Sequence, residues 1–123
     1  MSKYNLDFGK AGENRAEVFL KQNGYKILVR NYRTKLGEID LIAKDKNTVC
    51  FIEVKTRLDN KFGLPVEAIT NTKQRQIIKT ATVYLKENNL LEKRARFDVV
   101  SVIGAGEGQK TEVIKNAFSL DGV

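Results

Sequence analysis

The chain has 123 residues, with 22 Lys and Arg against 15 Asp and Glu for a formal charge of +7, and it contains no His. That length suffices for one domain with a real core and is too short for two, so residues 1–123 are read as a single domain. Without His there is no imidazole acid–base catalysis, no His metal ligand and no Ser–His or Cys–His dyad, which leaves carboxylates, lysines, hydroxyls or a carboxylate-bound metal to do any chemistry. No apolar run approaches the roughly 20 residues that a membrane crossing needs. The start, MSKYNLDFGK, lacks the apolar core of a secretory signal. The single Cys50 cannot form an internal disulfide, which fits a reducing interior. A cytoplasmic protein with no membrane partner is expected. The basic excess attracts polyanions without saying which one, or serves solubility alone.

In chain order, residues 8–23 carry Phe8, Gly12, Ala16, Phe19 and Leu20 at helical spacing, with Asn5 or Asp7 as N-cap and Gly24 as terminator. Residues 25–33, YKILVRNYR, read as a strand. Residues 37–44 and 48–56 are two more, rich in Ile, Val and Phe and separated by the turn-prone Asp45-Lys46-Asn47, which makes a hairpin. Leu58 to Ile69 loses its periodicity and reads as a loop. A second helix follows from about Asn71 to Asn88, where Ile77, Ile78, Ala81, Tyr84 and Leu85 form the apolar stripe. Residues 96–103 are a fourth strand, and TEVIKNAFS, after the Gly-rich turn 104–108, a fifth. The order αβββαββ describes an α/β or α+β layered sheet with helices packed on it.

The hairpin carries the chemistry. Side chains alternate along a strand, so Glu38, Asp40 and Ile42 share one face while Ile39, Leu41 and Ala43 share the other. A two-residue turn at Lys46-Asn47 pairs Asp45 with Thr48, Ala43 with Cys50, Leu41 with Ile52 and Ile39 with Val54. That register gives a uniformly apolar face, and it sets Asp40 across from Glu53 and Glu38 across from Lys55. Two carboxylates directly opposed, with Cβ atoms roughly 5 Å apart, repel each other. A divalent cation held between them offsets that repulsion, because hard cations bind through one or two carboxylates and keep several waters. The alternative is a solvated face, on which Glu–Lys cross-strand pairs are common. Phe51 and Ile42 on the same face weigh against that alternative.

Glu13 in the first helix, Asp40 late in one strand and Glu53-Val54-Lys55 at the end of the next resemble the PD-(D/E)xK nuclease superfamily, and particularly the archaeal Holliday-junction resolvases. The wording from Gly9 to about Val100, through GKAGENRAEVFL, GYKILVRNYR, GEIDLIAKD, FIEVKTR, FGLPVEAITNTKQRQI and RFDVV, is similar to the YraN-like bacterial family. One departure is that Ile39, not proline, precedes Asp40. The resemblance implies a restriction-endonuclease-like mixed central sheet flanked by helices. It also implies a Mg²⁺- or Mn²⁺-dependent endonuclease acting on DNA, with recombination or repair intermediates as substrates. Asp40 and Glu53 would then be metal ligands, the carbonyl of Val54 would add a third, Glu13 would assist directly or through water, and Lys55 would orient or deprotonate the attacking water. A homodimer follows by analogy with resolvases that cut two strands, although no apolar seam in the sequence demands one. The alternative is a nuclease-like scaffold that binds nucleic acid without hydrolysing it.

The remaining residues each carry two readings. Glu13 borders the apolar stripe of its helix, where it either reaches the sheet or simply complements the helix dipole. Glu38 is read as paired with Lys55. Arg57, directly after the Glu-x-Lys, is read as a phosphate contact by its position and its fork of donors. Lys73 is either a phosphate contact or a solvated lysine, and Arg75, Lys79 and Lys86 either track a nucleic-acid backbone or keep the second helix soluble. Cys50 is read as core, and ordinary packing outweighs stacking on bases for Tyr25, Tyr32 and Phe62.

Overall fold

The computed structural model describes residues 3–59, 63, 65–104 and 106–119, and it describes the side chains from residue 9 onward. Helix α1 spans Lys3–Gln22, strands β1 Lys26–Thr34, β2 Gly37–Asp45 and β3 Thr48–Arg57, helix α2 Asn71–Glu87, and strands β4 Arg94–Ile103 and β5 Lys110–Phe118. The order αβββαββ is as expected. The segment read as a loop, 58–69, contains one short 3-10 turn at Pro65–Ala68, and Phe62 lies outside the described residues. The five strands form one sheet in sequence order, antiparallel at every junction except β3–β4. Parallel neighbours need a crossover, and α2 supplies it.

α1 begins at Lys3, so Asn5 and Asp7 lie inside the helix and do not cap its start as expected. KYNLDF holds neither Gly nor Pro, and nothing in it stops a helix from extending toward the N-terminus. Both helices end by the same device. Gly24, at φ +88°, closes α1 with Tyr25 N–H donating to the Leu20 carbonyl, and Asn89, at φ +56°, closes α2 with Leu90 N–H donating to the Leu85 carbonyl. α2 has a side-chain N-cap, Thr70, whose Oγ1 accepts from the Lys73 amide at 3.1 Å.

The helices cover opposite faces of the sheet. On the α1 side Ala16 and Leu20 pack with Leu41, Ala43, Cys50, Ile52, Val100 and Val102. On the α2 side Ile77, Ala81 and Tyr84 pack with Ile42, Val49, Phe51, Val99 and Phe118. Large side chains buried this fully, such as Leu20 and Phe51, each contribute about 1.5–3 kcal/mol. Cys50 is core, as read from sequence, and Tyr32 packs edge-on against Tyr84 at 5.3 Å instead of standing free to stack.

The alternation of faces breaks on β1 and β2 beside Asp40, and this break locates the site. On β1, Arg30 pairs with Glu17 of α1, yet Tyr32, two residues on, packs against α2. Asn31 between them stands at φ +53°, a left-handed conformation that Asn tolerates better than most residues. The neighbours of Arg30 and Tyr32 on β2 are Leu41 and Ile39, and they divide in the same way, with Leu41 on the α1 side and Ile39 on the α2 side. Asp40 sits at the turnover. Ile39 therefore does not share an apolar face with Leu41 and Ala43, because the sheet rotates at the Asn31–Asp40 level.

Candidate functional site

The hairpin register is as expected from Asp45–Thr48 through Ala43–Cys50 to Leu41–Ile52, and there the ladder stops. The expected pairs Ile39–Val54, Asp40–Glu53 and Glu38–Lys55 are not formed as ladder pairs, since the rotation at Asp40 parts the two strands. In the gap the Asp40 carboxylate stands in for the missing backbone partner. Its Oδ2 accepts from the Val54 N–H at 2.8 Å. Glu38 does not pair with Lys55. The β1–β2 register puts Arg33 opposite it, and the two form an ion pair at 3.0 Å.

Glu53 is the unusual residue. It lies at the centre of the sheet, 9% exposed, with Asp40 beside it. Lys73, in the first turn of α2, reaches to 3.9 Å from Glu53 Oε2. That separation is charge attraction and is too long for a hydrogen bond, so Oε2 is buried without a hydrogen-bond partner. Burial, and then the Asp40 carboxylate, push the Glu53 pKa up to about 9, while Lys73 and Lys55 pull it the other way. A carboxyl in such a place holds a proton at neutral pH unless a cation takes the proton's position.

Glu13 is brought to the same place from α1. Its pKa is raised by partial burial and then by the charges of Asp40 and Glu38. The approach depends on Gly12, whose missing side chain lets α1 lie against β3. A Cβ there would come within 2.1 Å of Thr56 Oγ1. Arg57 ends β3. Its Nη1 donates to the Gly63 carbonyl at 2.8 Å, and its buried Nε and Nη2 have no partner among the described residues. The structure thus gathers Asp40, Glu53, Val54, Lys55 and Lys73, with Glu13 near enough to feel the Asp40 charge, while Arg57 lies four residues beyond Glu53 on β3 and is bonded to Gly63. Arg75 and Lys79 stand exposed on α2 and do not join them.

The donor set suits a hard divalent cation. Asp40 and Glu53 offer carboxylate oxygens, and one of these oxygens, Glu53 Oε2, is buried and unpartnered. Among the described residues no group of three or more Asp, Glu or Cys is arranged to hold a metal ion. The two acids would therefore leave most of an ion's coordination to water and substrate oxygens.

Sequence reasoning missed a second polar cluster, at the other end of the sheet. Asp98 is fully buried and accepts from Arg96 Nε at 2.8 Å, Arg96 Nη2 at 3.0 Å, Tyr25 Oη at 2.9 Å and the Asn116 amide at 2.9 Å. Asn116, at φ +53°, supplies that amide where the β4–β5 register slips. Burial and the neighbouring Asp98 charge raise the Tyr25 phenol and push the Cys50 thiol up to about 12. The available signal was Arg96-x-Asp98 within the apolar run RFDVVSVI, the same kind of charge in a core strand that singled out GEID.

Comparison with known proteins assigns the family. Residues 12–102 match the family model described as "Uncharacterised protein family UPF0102". The chain is 51% identical over 121 residues to a UPF0102 protein of Desulfosudis oleivorans, covering 98% of this chain and 97% of that one. It is 45% identical over 120 residues to one from Geobacter metallireducens, covering 98% of each chain. To one from Clostridium botulinum it is 49% identical over 119 residues, covering 94% of this chain and 97% of that one. Among the described residues no helix is long and apolar enough to cross a membrane. With a match spanning the site strands and near-full-length relatives, the chain belongs to the UPF0102, or YraN, family.

Proposed function

We propose that this protein is a divalent-metal-dependent nuclease that hydrolyses phosphodiester bonds in DNA, with branched recombination or repair intermediates as its substrate class. The observation that carries this reading is the Glu53 carboxylate, buried beside Asp40 with one oxygen unpartnered. A folded chain keeps such an arrangement at a cost, and a bound cation removes the cost. Asp40 and Glu53 would hold Mg²⁺ or Mn²⁺, with the Val54 carbonyl and Glu13, directly or through water, as further partners. When bound, the ion lowers the pKa of a water and neutralises charge developing on the phosphate.

The protein's own groups do the rest. Asp40 is held in place by its bond to the Val54 amide, which fixes the carboxylate across the strand gap. Lys55, two residues beyond Glu53 on the same strand, donates from Nζ to the attacking water and fixes its direction. Lys73 is the donor for the phosphate oxygens that stands at the site, and Arg57 is a second candidate by its place directly after the Glu-x-Lys. Arg75 and Lys79, exposed on α2, would follow the nucleic-acid backbone away from the site.

The test is incubation of branched and linear DNA with Mn²⁺. Cleavage by the wild type should fall by about three orders of magnitude in Asp40→Asn, Glu53→Gln and Lys55→Ala, with unfolding transitions showing that each variant is folded. Cleavage retained by Asp40→Asn would sink the proposal. A second reading, binding without hydrolysis, is favoured by the absence of a three-acid cage among the described residues. It predicts salt-steep DNA binding and intact DNA with either metal.

A further inference from the structure

The turn between β2 and β3, the start of β4 and Lys115 of β5 line an open cavity of about 690 Å³, within the range that small ligands occupy. Its walls carry Lys46, Arg94, Arg96 and Lys115 against a single acid, Asp45. That acid is already engaged, because its Oδ2 accepts from Arg96 Nη2 at 2.9 Å and from Lys115 Nζ at 3.1 Å. The cavity therefore presents an excess of positive charge with its one carboxylate turned to holding the cations in place.

Arg96 is the fixed element. Asp98, fully buried behind it, grips Nε and Nη2, and Tyr25 Oη also meets Nη2, at 3.1 Å. Every contact of the guanidinium uses Nε or Nη2. Among the described residues Nη1 has no partner, so its two N–H groups remain for a ligand. Arg94 and Lys46 are exposed at the rim and form no ion pair among the described residues. Lys46 stands at φ +56° in the turn, so its position is set by the hairpin.

We propose that this cavity binds phosphate groups that together carry two or more negative charges. A rigid arginine edge with three further cations around it matches the many acceptor oxygens of such groups, and the lining carries no apolar side chain for an uncharged ligand. The site is separate from Glu53. Thr48 at the cavity and Glu53 are five residues apart on β3, which is roughly 17 Å of extended strand. The proposal stands whether or not the chain hydrolyses DNA. The phosphate comes either from a free polyphosphate or from the backbone of a nucleic acid.

The experiment titrates the full chain with sodium pyrophosphate, and separately with a short single-stranded oligonucleotide, following amide resonances and binding heat at fixed salt. Pyrophosphate should shift the amides of the β2–β3 turn and the start of β4. Its affinity should fall about tenfold in the Lys46→Gln/Arg94→Gln double variant, whose changes are both exposed. The Lys10→Gln/Arg15→Gln variant, which removes the same charge from exposed positions on α1, should bind pyrophosphate as the wild type does. If oligonucleotide binding falls in parallel in the first variant, the phosphate of a nucleic-acid chain is the source. If only pyrophosphate binding falls, the source is a free polyphosphate. Equal losses in the two variants, or shifts spread over the whole basic surface, would overturn the site.

Discussion

Two clusters of buried acid interrupt the same sheet, and they are treated in opposite ways. Asp98 on β4 is fully buried and answered by an arginine, a tyrosine hydroxyl and a backbone amide. Glu53 on β3 is nearly as buried, but its nearest cation stands 3.9 Å away and one oxygen has no partner. Each cluster also uses an acid to take an amide where a ladder breaks, Asp40 from Val54 and Asp98 from Asn116. A saturated acid is a brace, and its value is structural. An acid left short of partners in a folded core is a vacancy in the hydrogen-bond accounting, and it points toward a ligand.

The comparison breaks most visibly at the brace. Replacing Arg96 with Met should destabilise the fold by about 3–5 kcal/mol in urea unfolding, because the fully buried Asp98 would lose its main donors. A loss under 1 kcal/mol, on the order of an exposed pair, would show that the two clusters do not differ as described.

At the other cluster the sign reverses. The folded-state pKa of Glu53 lies near 9, above the ordinary 4.5, so the carboxyl is protonated when folded and ionised when unfolded across that interval. Its contribution to stability is fully present below about pH 4.5 and is lost as pH rises toward 9. Without metal, Glu53→Gln should therefore gain on the wild type by about 3 kcal/mol between pH 4.5 and 7, read from denaturant midpoints. A constant difference between the two proteins across that range would contradict the burial argument.

The smallest effect concerns how α1 reaches the site. Gly12→Ala places a methyl 2.1 Å from Thr56 Oγ1, so α1 must lift or Thr56 must turn. A loss of about 1–3 kcal/mol is expected, with Thr56→Ala in the same chain restoring most of it. No recovery in the double variant would show that the helix is held elsewhere.

Much of this was legible in the residues. Leu41, Ala43, Cys50 and Ile52 announce their register by face matching, because a one-residue slip would bury charge among them. The two helices follow from apolar periodicity and from Gly24. The break in alternation at Asp40 was not legible. It depends on Asn31 adopting a positive φ in a neighbouring strand, and nothing in NYR distinguishes that from ordinary extended backbone. The same break cancelled the Glu38–Lys55 pair and gave Glu38 to Arg33. Lys73 reached Glu53 because the crossover brings the first turn of α2 over β3, a long-range fact that helical spacing does not contain. The Arg96–Asp98 brace could have been suspected from charge inside an apolar strand, but its partners, Tyr25 and Asn116, lie 73 and 18 residues from Asp98 in the chain.

The central claim is that a cation belongs between Asp40 and Glu53, and calorimetric titration of the metal-free protein with Mn²⁺ addresses it directly. At pH 7, in buffers of different ionisation enthalpy, the wild type should bind with release of about one proton, the one that Glu53 holds, and Asp40→Asn should show no such binding. Absence of heat in the wild type, or equal heat in the two proteins, would contradict the account.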